Sequence, residues 1–396
     1  MIQKDRMEQK KYFGFPRNVL ILSIVSFLND IGGETVKRTI PLYLANVLGV
    51  KTTIIGLIEG VGEAVPHLLQ PIAGNITDRT QKRKPLIVAG QALRSSMLLL
   101  FFATSWPMVL LLRFLDRSGK GVTTAPRDAL ISISSRGHAG RAFGLNRALD
   151  NAGAVVGMVA ATIIIVAVGR GAFMMSTGVF RSIVLLAAVP LVISLLLLVF
   201  FIRDVPVVHH HPRWVLHNQF GHKYYLFLFF SFLFALGNSS DAFLILKAQG
   251  AGLTLWQIFL LLAGYSLVSS LSGFPLANLS DRVGRKKLLV AGWFLYSLVY
   301  FLFAQANAIG LIVGLFFIYG LYYGCTEGAA KALVSDIVDQ ERQGTAYGVY
   351  NMVVGVTLLP ASLLAGFLWQ TFAPSVAFTF SAGTAFVAAI GLLVFL

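Results

Sequence analysis

The sequence predicts an all-α membrane protein with twelve transmembrane helices in two pseudo-symmetric six-helix bundles. Three observations carry that prediction: long apolar runs, basic residues confined to one side of them, and an internal repeat half a chain apart. Of 396 residues, 56% are hydrophobic and only 12% charged, with a mean hydropathy of +0.76. Soluble domains carry about a quarter charged residues. The apolar runs reach the ~20 residues needed to cross roughly 30 Å of hydrocarbon as helix. They do not alternate apolar with polar residues, which excludes the pattern of an outer-membrane barrel.

Taken in order, the predicted spans are 17–47, 52–77, 86–105, 107–134, 142–169, 179–202, 223–249, 254–280, 288–307, 309–335, 344–370 and 374–396. The polar, histidine-rich stretch between the sixth and seventh reads as a linker. The expected organisation is therefore one bundle over 1–202, a linker over 203–222 and a second bundle over 223–396. Met1 to Arg17 is polar and basic. It lacks the short apolar stretch and small-residue cleavage site of a secretory signal, so no cleaved signal is expected.

The net charge of +15 lies in the loops. Lys and Arg cluster at 4–17, 79–84, 136–141, 203–223, 282–287 and 342, against Lys51, Arg170 and Arg181 on the other side, 19 residues against 3. The positive-inside rule then places both termini in the cytoplasm of a cell whose inner membrane the chain spans. Basic residues in short clusters between apolar spans argue against nucleic acid as a partner. Cys325 is the only cysteine, which excludes disulfides within the chain and cysteine-rich metal sites. No phosphate-binding Walker loop, nucleophile elbow or zinc motif is present. The expectation is a non-enzyme with no cofactor or resident metal, and His209, His210, His211, His217 and His222 read as a solvated linker.

The repeat is specific. Gly74-Asn-Ile-Thr-Asp78-Arg79, followed by Lys82-Arg83-Lys84, returns as Ala277-Asn-Leu-Ser-Asp281-Arg282, followed by Arg285-Lys286-Lys287. A second pair, Gly140-Arg-Ala-Phe-Gly144 and Gly344-Thr-Ala-Tyr-Gly348, has nearly the same offset. Repeated halves are characteristic of secondary transporters, with the site between them. The two loop copies resemble the signature between helices two and three of the major facilitator superfamily and its second-half counterpart. Arg113 resembles that family's intramembrane arginine, and Asp116 through Ile131 is similar to a signature of its bacterial members. The resemblance implies alternating access, with Gly74, Asp78, Arg79, Asp281 and Arg282 forming gating loops that latch the halves. Two positions depart from the pattern: Gln81 stands where the loop carries glycine. Met158, after Gly153 and Gly157, stands where the antiporter-type motif carries proline.

Ionisable residues inside the spans should carry mechanism, because each costs at least ~2.5 kcal/mol to insert. The inventory is nine acids against ten bases. Asp30, Glu34, Lys37 and Arg38 share a face of the first span. Glu59, Glu63 and His67 share one on the second. Arg113, Arg117, Lys120 and Arg127 share one on the fourth, and Tyr323, Glu327 and Lys331 one on the tenth. The candidates for proton coupling are Asp30, Glu34, Glu59, Glu63, Asp150 and Asp241. Glu59 and Glu63 qualify because no base lies near them on their own helix. For substrate contact the candidates are Arg38, Arg113, Glu327 and Lys331, although Glu327 has Lys331 four residues on and also reads as a structural ion pair.

The expected partners are the bilayer, protons and a small-molecule substrate, with the chain a monomer. The expected function is alternating-access transport of a small organic solute, anionic in the manner of an organic acid or siderophore, coupled to protons. Alternatives are a multidrug or metabolite–proton antiporter exporting hydrophobic or cationic compounds, an uncoupled facilitator, and a non-transporting membrane protein.

Overall fold

Twelve rods cross the molecule, as the spans predict. The computed structural model describes residues 11–12, 14–135, 138–169, 171–205, 220–339 and 342–396. The rods are α1 (Arg17–Asn46), α2 (Thr52–Thr80), α3 (Arg83–Phe102), α4 (Trp106–Ser134), α5 (Ala139–Gly169) and α6 (Thr177–Phe201), then α7 (His222–Gly250), α8 (Leu255–Val283), α9 (Arg285–Gln305), α10 (Ile309–Ile337), α11 (Gln343–Thr371) and α12 (Pro374–Phe395). A two-residue antiparallel ladder, Lys11–Tyr12 with Phe15–Pro16, precedes α1. Most of the predicted linker, including His209 to His211 and His217, lies outside the described residues.

Ten of these rods are apolar enough to span a membrane on composition alone. The two that are not, α2 and α4, carry charges within their spans and pack against one another. Large side chains on the outer surface are apolar, such as Phe200 and Leu271. The interior holds Asn29, Gln91 and Ser194, mutually hydrogen-bonded and joining α1, α3 and α6. This reverses the usual arrangement because lipid tails solvate the outside, and polar bonds and close packing hold the inside.

The packing is duplicated. α1 packs on α5 and α6, and α2 and α3 on α4; α7 packs on α11 and α12, and α8 and α9 on α10. The bundles meet through α2 with α11 and through α5 with α8, a crossed pair that swaps onto itself when the halves are exchanged. Small residues allow the first contact. A Cβ on Gly56, Gly60 or Gly366 would strike the backbone of Ser362, Leu359 or Thr52.

Two rods are irregular. The last part of α3, Ser95–Phe102, winds as a 3₁₀ helix. α7 breaks after Gly237 and resumes at Ala242, where the sequence predicted one continuous span. The break is Asn238-Ser239-Ser240-Asp241. Open backbone at membrane depth survives only where other groups satisfy it. Tyr296 donates to the Gly237 carbonyl at 3.0 Å, and the Ser362 hydroxyl accepts from the Ser240 N–H at 3.1 Å.

The duplicated loops both place a residue of positive φ at the corresponding position, in different turns. Gln81 ends α2 with φ +56°, and Gly284 starts α9 with φ +101°. Gln81, with ψ 11°, is in the left-handed helical conformation, and its Nε2 donates to the Asp78 carbonyl at 2.7 Å. Gly284, with ψ 135°, lies where only glycine is unstrained. Gly284→Ala should lower unfolding stability by about 1–3 kcal/mol, measured by equilibrium unfolding in mixed micelles.

Candidate functional site

Of the two faces of the molecule, one holds the start of α1, the end of α12 and the basic loops. It is called the basic face here, and its opposite the neutral face. Near the neutral face the bundles are joined by uncharged hydrogen bonds. The Asn46 and Gln249 side-chain amides bond reciprocally at 3.0 and 2.7 Å. Gln249 also donates to the Phe173 carbonyl at 3.1 Å, and the Thr52 hydroxyl donates to the Gly366 carbonyl at 3.1 Å. Deeper, a Cβ on Gly355 of α11 would collide with the His67 ring of α2. Beyond that level the halves part. A Cβ on Gly344 or Gly348 would meet nothing within 4 Å, and one on Gly74 only Ala125 of its own bundle.

The gap is a cavity of about 560 Å³ between the bundles. Its two walls differ. The N-terminal bundle contributes Asp30, Glu34, Lys37, Arg38, Glu63, His67, Lys120 and Arg147, and no phenyl, phenol or indole ring. The C-terminal bundle contributes Phe234, Tyr265, Trp293, Tyr322, Tyr323 and Tyr350, with Asp241 and Lys331 its only charges on the lining among the described residues. Phe234 and Trp293 stack at 4.7 Å, and Tyr319 stacks with Tyr265 and Tyr322, each at 5.5 Å. A smaller chamber, about 110 Å³, continues toward the neutral face past Glu59, Ser240 and Asp241.

Most of the interior charges are paired between helices. Lys37 Nζ lies 2.8 Å from Glu63 Oε1, and Arg117 Nη2 lies 3.3 Å from the same oxygen. Arg117 Nε also donates to the Gly62 carbonyl at 2.7 Å. Arg113 is completely buried, with Nη2 3.2 Å from Glu59 Oε2 and Nη1 3.7 Å from Asp116 Oδ2. Glu59 and Glu63 have no basic partner on their own helix, but α1 and α4 supply bases to them from across the bundle. Among the described residues, one ion pair crosses between the bundles. Arg38 Nη1 lies 2.7 Å from Asp241 Oδ2, at the break in α7. Arg38 also lies 3.7 Å from Glu34, and Tyr319 donates to Asp241 at 2.9 Å. The Ser240 hydroxyl reaches Glu59 Oε2 at 3.3 Å, a second link between the bundles.

Three formally charged lining groups make no ion pair or side-chain hydrogen bond among the described residues, Asp30, Lys120 and Lys331, and the His67 Nδ1 and Ser231 hydroxyl on the same lining are also without a partner there. The charges bearing on Asp30 are Asp150, Glu34, Lys120 and Arg94. Asp150 is outside the lining and accepts from Asn146 Nδ2 at 3.2 Å. Asp78, Arg79 and Arg282 are exposed, and Asp78 has no partner on the other bundle among the described residues. The side chains of Asp281 and Glu327 lie outside the described residues. Sequence reasoning missed Ser240, Trp293 and the Asn46–Gln249 seal. The run Gly237-Asn-Ser-Ser-Asp241 was the available signal for the first.

The family model of the Major Facilitator Superfamily matches residues 22–263 and again 226–396. The chain belongs to the major facilitator superfamily. It is a multi-pass membrane transporter of that type. An MFS-type transporter of Methanocaldococcus jannaschii is 33% identical over 388 residues, covering 95% of this chain and 94% of the relative. A multi-drug resistance efflux pump of Streptococcus pneumoniae is 25% identical over 332 residues, 79% of this chain and 80% of the pump. Among solved superfamily structures, a nucleoside transporter superposes with a TM-score of 0.80 at 13% identity, covering 95% of this chain and 99% of its own. A peptide-type (POT family) transporter superposes at 0.81 and 13%, covering 98% and 97%. At such identity the likeness is one of fold.

The pairing pattern ranks the bases by cost of removal. Arg113→Met strands Glu59 and Asp116 and should cost about 3–5 kcal/mol. Lys37→Met leaves Glu63 with Arg117 and should cost clearly less. Equilibrium unfolding of both variants in mixed micelles checks the order.

Proposed function

We propose that this chain is a secondary active transporter that moves a small organic solute across the cell membrane by alternating access, coupled to protons. The observation that carries the reading is the charged cavity between the bundles, sealed at the neutral face and open toward the basic face. With the basic face cytoplasmic, as the positive-inside rule has it, this conformation is inward-open. The unengaged Asp78 and Arg79 fit a latch released in that state, to be re-formed when the basic face closes.

Coupling needs a carboxyl group that can gain and lose a proton as access changes. Glu34, Glu59, Glu63 and Asp241 are each ion-paired with at least one guanidinium or ammonium in this state. Asp30 and Asp150 are not so held. Arg113 is too enclosed to touch a solute, whereas Arg38, Lys120 and Lys331 reach the cavity. A second reading is export of hydrophobic or cationic compounds. The aromatic wall of the C-terminal bundle and the relation to a drug efflux pump favour it.

The test uses spin labels in a background lacking Cys325. Labels at Lys82 and Lys287 report the basic face, and labels at Thr104 and Asn307 the neutral face; all four positions are exposed. Two populations should appear, the basic-face distance shortening as the neutral-face distance lengthens, with pH shifting their ratio. A single population unmoved by pH or by solutes would sink the transporter reading.

A further inference from the structure

Asp30 is the one acid on the cavity lining with neither an ion pair nor a side-chain hydrogen bond among the described residues. Lys120 is the corresponding base on the same wall. The two bear on each other across α1 and α4. Most of the other charges around them are paired. Glu34 is with Arg38, and Glu63 with Lys37 and Arg117. Arg38 is shared with Asp241. Around Asp30 the remaining charged groups are Arg94 on α3 and Asp150 on α5.

We propose that the cavity takes an amphipathic organic monoanion with a flat apolar body, and that Asp30 and Lys120 bind it together with one proton. This rests on reading the cavity as the solute site. When Asp30 is ionised it compensates Lys120, and a second anion is repelled. When Asp30 is protonated, the Lys120 ammonium is left with donors to spare and takes the anionic head. The anion's charge and the proton cancel, so the loaded cavity gains no net charge, which lowers the cost of moving the load through the membrane. The flat body lies against the opposite wall, on the Phe234–Trp293 stack and Tyr322, which offers ring faces and hydroxyls instead of charge. Lys331, the one base on that wall among the described residues, is the alternative seat for the head, and variants separate the two.

The probes are three molecules of one shape: indole-3-acetate, indole-3-acetamide and tryptamine, which are anion, neutral amide and cation. Calorimetry on the purified full-length protein in nanodiscs reads affinity, and a pH dye in weak buffer reads protons taken up. The expected result is binding of indole-3-acetate with about one proton per anion. Above the protonation midpoint, affinity should weaken by up to about tenfold per pH unit. Lys120→Gln should weaken binding roughly tenfold to a hundredfold, the loss of one charge-assisted hydrogen bond, while Lys120→Arg retains it. Asp30→Asn should bind the anion with no proton uptake and no dependence on pH. Trp293→Ala should weaken all binding without changing proton uptake per bound anion. Variants are compared only where their melting without ligand matches the parent. Preferred binding of tryptamine, binding of none of the three, anion binding without proton uptake, or a loss at Lys331→Gln and not Lys120→Gln would each overturn the proposal. The spin-label distances stand apart from these outcomes. Two exchanging populations with no anion effect would remove this inference and leave alternating access in place.

Discussion

A charge inside a bilayer needs a countercharge, and this fold is arranged around that requirement. Insertion scales put an unpaired central charge at ~2.5 kcal/mol or more, and α2 and α4 carry too many to be stable spans by themselves. They are stable next to each other. Arg113 meets Glu59, and Arg117 meets Glu63. The two least apolar rods are therefore forced together, behind α1, on the inner side of their bundle. The apolar rods, such as α6, are left to face lipid. The position of the cavity follows from the same sorting, because polar faces that cannot all be turned inward within one bundle meet at the junction of two.

The two bundles solve the problem differently although they descend from one pattern. The N-terminal bundle fills its junction face with paired charges. The C-terminal bundle uses tyrosines and a Phe–Trp stack and keeps few charges. Where it does place an acid, Asp241, it breaks a helix to do so, and the partner Arg38 comes from the other bundle. The break turns backbone and side chain together toward the junction, as discontinuous helices do in other transporters. On the proposed reading, a site so divided suits an asymmetric solute, with one end met by charge and the other by ring surface.

Much of this architecture is legible in the amino-acid sequence. Apolar runs of transmembrane length leave little freedom, so the span limits fall within a few residues of the helices. The shared polar faces of α1, α2 and α4 follow from helical spacing, and those faces do line the junction or join the helices behind it. Partners are not legible for Glu59 and Glu63. Spacing reports only neighbours on the same helix, whereas the bases come from 26 residues before Glu63, at Lys37, and 54 residues after each acid, at Arg113 and Arg117. The break in α7 is hidden because Phe234 to Leu246 reads as apolar on average, the four polar residues being too few to lower it. Gln81 shows the converse. The sequence departs from its motif, yet the backbone still takes a positive φ at that position, and the side-chain amide bonds within the loop.

The chemistry of the neutral-face seal has a consequence for exchange between states. It consists of amide and hydroxyl hydrogen bonds and of glycine-mediated contact, each bond contributing about 0.5–1.5 kcal/mol net. A transporter must populate both open states, so their free energies can differ by only a few kcal/mol. A seal of buried ion pairs would overshoot, since parting such a pair costs roughly 3–5 kcal/mol. The one ion pair that crosses among the described residues, Arg38–Asp241, lies beside the cavity, with side chains 13% and 17% exposed. There water or solute can replace each partner as the bundles separate. Strong interactions are thus kept within a bundle, where they survive the motion, and weak or solvated ones lie between bundles, where they must yield.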